Sequence, residues 1–228
     1  METTSPTCPP RRTPYQITFL LDTSNNWIEN HLVESKSFLS NTTYNFRTSH
    51  NHADVNNQDV VFILGYTKIL NNEFLKTNHL NLVIHESDLP LGKGFAPVQW
   101  QILEGKREIP ICLLEATERV DSGDIVFKSS FNLSGYELYE DVRSMQAQAI
   151  FNVISEFLKI YPDFTRTKQT GEESYYPRRL AKDGKLNIDK SLRDQFNLLR
   201  IGNNEDWPSF FFVDDQKYIL KIYKHKMS

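Results

Sequence analysis

The 228 residues are 39% hydrophobic and 24% charged, the proportions of a soluble globular chain long enough to bury a core of its own. Lys and Arg number 26 against 29 Asp and Glu, and the net charge of −3 gives no support to a nucleic-acid-binding surface. Two cysteines, Cys8 and Cys112, argue against a disulfide scaffold and for a reduced, cytoplasmic setting, and no run approaches the ~18 apolar residues that would cross a bilayer.

Residues 1–14, with Pro6, Pro9, Pro10, Arg11, Arg12 and Pro14, lack the apolar middle of a signal peptide and read as a disordered leader. Tyr15 to Leu21 is a short run rich in strand formers, closed by the polar cluster Asp22-Thr23-Ser24-Asn25-Asn26. That cluster supplies an N-cap for a helix from about Trp27 to Ser35, where Trp27, Ile28, His31 and Leu32 fall at helical spacing. Residues 41–58 are polar, with Tyr44-Asn-Phe46 as a short edge strand; His50 and His52 lack a carboxylate or thiol at ligand spacing, so no metal is expected. Asp59 to Leu64 is a continuous β-branched run, the mark of a strand buried on both faces, followed by Gly65 to Leu70 and a helix at Asn72–Leu75. No Gly-x-Gly-x-x-Gly occurs, which speaks against a nucleotide redox cofactor.

Asn81-Leu-Val-Ile-His85 then delivers a histidine at the end of an apolar run, ahead of a Pro/Gly-punctuated loop and, further on, the acidic turn Asp121-Ser-Gly-Asp124. A parallel sheet presents catalytic groups at its strand ends in this way. Pro97 at the first helical position and Gly105 just past the end bracket a helix over Val98–Glu104. Ile109 to Leu114 and Ile125 to Phe127 read as strands, and Tyr139 to Tyr161 as a long core-covering helix stopped by Pro162. Asp163 to Ser174 turns polar and reads as a linker. Beyond it come Tyr176-Pro-Arg178-Arg179, Leu186-Asn-Ile188, a helix to Arg200, and Trp207 to Phe212. Arg178, Arg179 and Arg200 are suited equally to phosphate and to ion pairs.

In His85, Leu89-Pro90, Lys93-Gly94, Pro97 and Asp121-Ser122-Gly123-Asp124 the chain resembles the catalytic core of the folate-dependent formyltransferases, and Tyr176 to Phe212 resembles their small C-terminal extension. One position departs: where the family carries its catalytic Asn, two before the histidine, this chain has Val83. Asn81 is a poor substitute, its backbone being on the order of 13 Å from that of His85 along a strand.

The resemblance implies an α/β fold, a Rossmann-like, mostly parallel sheet flanked by helices, with a small C-terminal α+β and β-hairpin extension. The expected division is a leader over 1–14, a catalytic core over 15–162, a linker over 163–174 and the extension over 175–228. It implies 10-formyltetrahydrofolate as co-substrate, held by Thr67, Lys68, Ile69, Leu70, Val120 and Asp121, with no metal. His85 is then the general acid–base and Asp121 its orienting carboxylate. The polarity of Ser24, Asn25 and Asn26 at a helix N-terminus places a diphosphate there, with Lys93 and Gly94 across the site.

A methionyl-tRNA formyltransferase needs a larger basic C-terminal domain to hold tRNA, and glycinamide ribonucleotide transformylase usually lacks the extension. Core and extension together most resemble the sugar N-formyltransferases, which modify a UDP- or dTDP-linked amino-dideoxy sugar for surface polysaccharide, such as O-antigen, or for flagellin glycosylation. The expected partners are folate and a nucleotide-linked sugar, with no nucleic acid and no membrane; a homodimer is left open. The alternatives are a folate- or nucleotide-binding protein without catalysis, because the family Asn is absent, and a formyltransferase for another small amine.

Overall fold

The computed structural model describes residues 14–23, 26–34 and 43–225, without the side chains of Asn26, Val33 and Glu34; residues 1–13, 24–25, 35–42 and 226–228 lie outside it. In chain order come β1 (Tyr15–Leu21), α1 (Asn26–Glu34), β2 (Tyr44–Ser49), β3 (Val60–Leu64), α2 (Asn72–Thr77), β4 (Asn81–His85), β5 (Lys93–Gly94), α3 (Pro97–Leu103), β6 (Glu108–Glu115), β7 (Ile125–Asn132), α4 (Tyr139–Ile160), β8 (Tyr175–Tyr176), α5 (Phe196–Arg200), β9 (Ser209–Val213) and β10 (Gln216–Leu220). Six strands make one mixed, mostly parallel sheet in the order β2-β1-β3-β4-β6-β7, flanked by helices, which is the α/β architecture expected.

All five residues of β3 are buried, so its unbroken apolar run is what a strand covered on both faces requires. β1 runs parallel to β2 and β3, and β3 parallel to β4 with Ile63 opposite Val83. The edge strand β2 extends three residues past Phe46, because Arg47, Thr48 and Ser49 continue the backbone ladder opposite Thr18, Phe19 and Leu20. Arg47 also donates from Nε to the buried Thr18 hydroxyl at 2.8 Å. β7 likewise runs on to Asn132 through residues that are mostly exposed, so its second half has no apolar pattern to announce it.

The chain divides into two compact units. One comprises Met1–Ile84, Leu113–Phe127 and Phe151–Gln169. Within it Leu20, Val55, Val61, Ile63 and Phe74 form an apolar cluster against which Tyr66, Leu70, Leu75, Val83 and Ala116 pack. Part of the polar stretch after α4 is tied down here, since Thr167 and Ile125 exchange two backbone hydrogen bonds of 2.8 Å.

The other unit comprises His85–Cys112, Lys128–Ile150 and Thr170–Ser228, around Val98, Ile102, Ile109, Leu133, Val142 and Ile201. Its β9–β10 hairpin is antiparallel, and Leu186 N donates to Phe210 O at 2.7 Å. Arg200, 2% exposed, donates from Nε to Asn197 Oδ1 at 2.8 Å and places NH1 3.6 Å from Glu137 Oε2, so this arginine is committed to an internal ion pair. Arg178 lies over the Phe95 ring and Arg179 over Trp100.

Glu137 is the anion of this arrangement. Burial by itself would raise its pKa, but hydrogen bonds from the Ser134 hydroxyl and amide and the Gly135 amide, at 2.6, 2.6 and 2.9 Å, hold it down to about 2 from the ordinary 4.5. A depressed folded-state pKa contributes stability that is fully present above about 4.5 and is lost as pH falls toward 2. Glu137→Gln is therefore expected to lower stability at neutral pH by about 1–3 kcal/mol and to flatten the acid limb of the stability profile. Urea unfolding across that range checks both.

Candidate active site

β4 is apolar until its last residue, and the polar Glu86-Ser87-Asp88 that follows ends the strand, so His85 is set at the sheet's rim, 5% exposed. Its Nε2 lies 2.8 Å from Gly92 O. A carbonyl oxygen only accepts, so Nε2 carries the hydrogen in this contact.

The loop that presents Gly92 O is pinned by β8 and the residues before it. Gly92 N donates to Ser174 Oγ at 2.8 Å, Lys93 N to Ser174 O at 2.9 Å and Phe95 N to Tyr176 O at 3.1 Å, while Leu91 N donates to Asp88 O at 3.0 Å. Gly94, at φ 100°, could not be another residue: a Cβ would stand 2.5 Å from Tyr176 O. Lys93, expected to face a substrate, is instead 1% exposed and pairs with Glu173 Oε1 at 2.8 Å.

Position 83 brings no hydrogen-bond donor. Val83 packs against the apolar cluster around Ile63 and Phe74. Asn81 serves the fold, its Nδ2 donating to Leu75 O at 2.9 Å. Pattern reading missed Glu86, whose Oε1 accepts from Gln146 Nε2 at 2.5 Å and whose backbone carbonyl accepts from Gln101 Nε2 at 2.6 Å. Gln146 is held in turn by Arg143 at 3.0 Å. A carboxylate directly after His85 was the only signal, because its partner on α4 is 60 residues away.

In the other unit, the segment expected to hold folate is an exposed loop braced at its ends. Thr67 donates from N and Oγ1 to Asp22 Oδ2 at 2.9 and 2.6 Å, and the Asn72 amide hydrogen-bonds the Glu118 carboxylate, joining this loop to the acidic turn. Leu70 packs inward, while Ile69 is 84% and Val120 67% exposed, and Lys68 extends over the Tyr66 ring. His50 and His52 are used locally, by Leu21 O and the Tyr66 hydroxyl at 3.1 and 2.9 Å. Ser24 and Asn25, assigned to a diphosphate, lie outside the described residues, as does the Asn26 side chain.

Asp121 is 8% exposed and has φ 54°, in the left-handed region that Asp tolerates better than most residues. The turn is fixed from outside by Gln169, whose Nε2 donates to Asp121 O and Gly123 O, both at 2.9 Å. It is fixed from inside by Gly123, where a Cβ would fall 1.8 Å from Glu115 O. Gly123→Ala is expected to cost about 3 kcal/mol or more. Gly105→Ala, at φ 81° with nothing within 4 Å, should cost only the left-handed strain of about 1–2 kcal/mol. Equilibrium unfolding of the two variants side by side separates steric exclusion from backbone strain.

Residues 19–158 match the family described as formyl transferase. Methionyl-tRNA formyltransferase of Thermodesulfovibrio yellowstonii is 30% identical over 174 residues, 74% of this chain and 54% of that protein. The chain thus spans about half the length of the curated relatives it matches. Among solved structures, methionyl-tRNA formyltransferase from Clostridium thermocellum superposes with a TM-score of 0.78 at 22% identity, covering 93% of this chain and 94% of that one. A sugar N-formyltransferase from Shewanella sp. gives 0.62 at 16% identity, covering 94% and 99%. Both are likenesses of fold. With the family's motif running from the end of β4 to the turn before β7, and the match covering more than half of its residues, this chain belongs to the formyl transferase family.

Proposed function

We propose that the chain moves a formyl group from 10-formyltetrahydrofolate to the amine of a UDP- or dTDP-linked amino-dideoxy sugar in the cytoplasm. The observation that carries the chemistry is the buried His85 at the end of β4, its Nε2 2.8 Å from Gly92 O, since an imidazole can take and return a proton near neutral pH. The co-substrate, when bound, supplies a formyl group activated on a nitrogen leaving group. For its ring, Ile69 and Val120 offer exposed apolar surface on two loops that the Asn72–Glu118 contact joins.

In the transfer, the acceptor amine bonds to the formyl carbon and loses a proton to His85. That proton is passed to the departing nitrogen as its bond to the formyl carbon breaks. By the resemblance alone, Asp121 is assigned as the carboxylate that would favour a cationic ring. Val83 offers no side-chain donor, and the amides of Leu91, Gly92, Lys93 and Phe95 are engaged, so none of these is assigned to the developing oxyanion. The nucleotide diphosphate is assigned, on the polarity of the sequence alone, to Ser24, Asn25 and Asn26.

The sugar acceptor is supported by the net charge of −3, which suits a small anion-bearing substrate better than a tRNA backbone, and by the fold shared with the Shewanella enzyme. Methionyl-tRNA is the second reading, favoured by the Thermodesulfovibrio yellowstonii relative. Formyl transfer assayed with a panel of amino-sugar nucleotides and with methionyl-tRNA decides between them, and no turnover with any acceptor would leave only binding. His85→Asn is expected to cut kcat at least ~100-fold while folate binding persists. Lys68→Ala should raise KM for the folate more than it lowers kcat. Near-normal turnover in the first variant would remove His85 from the mechanism.

A further inference from the structure

We propose that Phe95 and Arg178 anchor the nucleobase of the acceptor, a pyrimidine-2,4-dione such as uracil or thymine, which stacks on the ring and is fixed by the guanidinium. The inference rests on the reading of the acceptor as a UDP- or dTDP-linked sugar and adds where its base is held.

Of the three arginines that the sequence marks out for phosphate or ion pairs, two are committed inside the fold. Arg200 pairs with Glu137, and Arg179, lying over the Trp100 ring at 5.5 Å, donates to Asp183 O at 3.3 Å. Arg178 is exposed, and among the described residues no carboxylate pairs with it. Its guanidinium carbon lies 5.8 Å from the centroid of the Phe95 ring.

Phe95 is exposed too, at 50%, although the backbone around it is held. Its amide donates to Tyr176 O at 3.1 Å, and Trp100 Nε1 donates to Pro177 O at 2.9 Å, so ring and guanidinium both stand on anchored backbone. An apolar ring and an unneutralised guanidinium fixed side by side make a base-binding surface, because every base has a π face to stack and acceptors on its edge.

The class of base follows from donors and acceptors. Arg presents only donors, in a planar fork. A pyrimidine-2,4-dione turns two carbonyl oxygens outward, whereas adenine sets an amino donor beside N1 and N7, where it competes with the fork. The position suits as well. Gly92, whose carbonyl lies 2.8 Å from His85 Nε2, is three residues before Phe95, so their Cα atoms are within about 11 Å. The ribose and two phosphates between base and sugar span a distance of that order, which brings the sugar amine toward His85.

Calorimetry of the full chain with UDP, dTDP, ADP and inorganic pyrophosphate reads the site without turnover. UDP or dTDP is expected to bind more tightly than ADP, and Arg178→Ala and Phe95→Ala each to raise its Kd on the order of 10- to 100-fold. Phe95→Tyr, which keeps the ring, should bind nearly as the unaltered chain does; Arg178→Lys, which keeps the charge and loses the plane, should resemble Arg178→Ala. Arg193→Ala, at an exposed arginine elsewhere in the same unit, controls for bulk charge. In formyl transfer the loss should fall mainly on KM for the sugar nucleotide.

No binding of UDP or dTDP by the unaltered chain, unchanged Kd in Phe95→Ala and Arg178→Ala, or equal weakening by Arg193→Ala overturns the proposal. Pyrophosphate binding that Arg178→Ala weakens, with UDP binding indifferent to Phe95→Ala, makes the site one for phosphate and overturns the base assignment; tighter binding of ADP overturns the pyrimidine. Should Phe95→Ala not fold, Phe95→Leu, which keeps bulk without the ring, decides. Transfer to a sugar nucleotide undiminished by either variant overturns the anchor and leaves the transferase reading standing. UDP binding that needs both residues, in a chain that formylates no acceptor, upholds the anchor and overturns the transferase reading instead.

Discussion

The peptide joining Gly92 to Lys93 is the fixed point of the second unit. It is gripped on one side by Ser174 and grips His85 on the other, and glycine on both flanks of Lys93 lets a neighbouring strand approach to within contact of the backbone. A histidine at a strand end has two free side-chain torsions, and an acceptor of fixed direction at Nε2 restricts both. The loop from Leu89 to Phe95 is therefore a bearing surface rather than a flexible lid, and its backbone donors at Leu91, Gly92, Lys93 and Phe95 are spent on holding it.

That economy bears on the substitution at position 83. A parallel strand buried on both faces welcomes valine, and Val83 joins the apolar cluster of the first unit instead of pointing an amide at a reacting group. The polar investment appears on the other side of His85, in the Glu86–Gln146–Arg143 chain that ties the residue after the histidine to α4.

Local signals carried most of the fold. β1 and β4 stand where strand-forming runs bounded by polar clusters put them, and α3 begins at Pro97 and stops before Gly105, as the fixed φ of proline and the freedom of glycine require. What escaped was whatever depends on pairing rather than pattern. The two-residue strand β8 has no periodicity to detect, the outer half of β7 is polar, and Gln169 gives no hint in sequence that its amide will hold the acidic turn. The strand-end position of His85 and the turn at Asp121 were legible because both are local motifs. The fate of Lys93 was not, since its partner Glu173 lies 80 residues further on.

The enclosure of Lys93 bears on the protein's own integrity. In the proposed reaction a group that strips protons from amines sits close in sequence to a lysine, and any primary amine with an available lone pair would compete for the formyl group. The Lys93 side chain is 2% exposed and 2.8 Å from the Glu173 carboxylate, which shields it from an acyl donor in solvent. Glu173 thus helps to enclose an amine that lies eight residues from His85 in sequence.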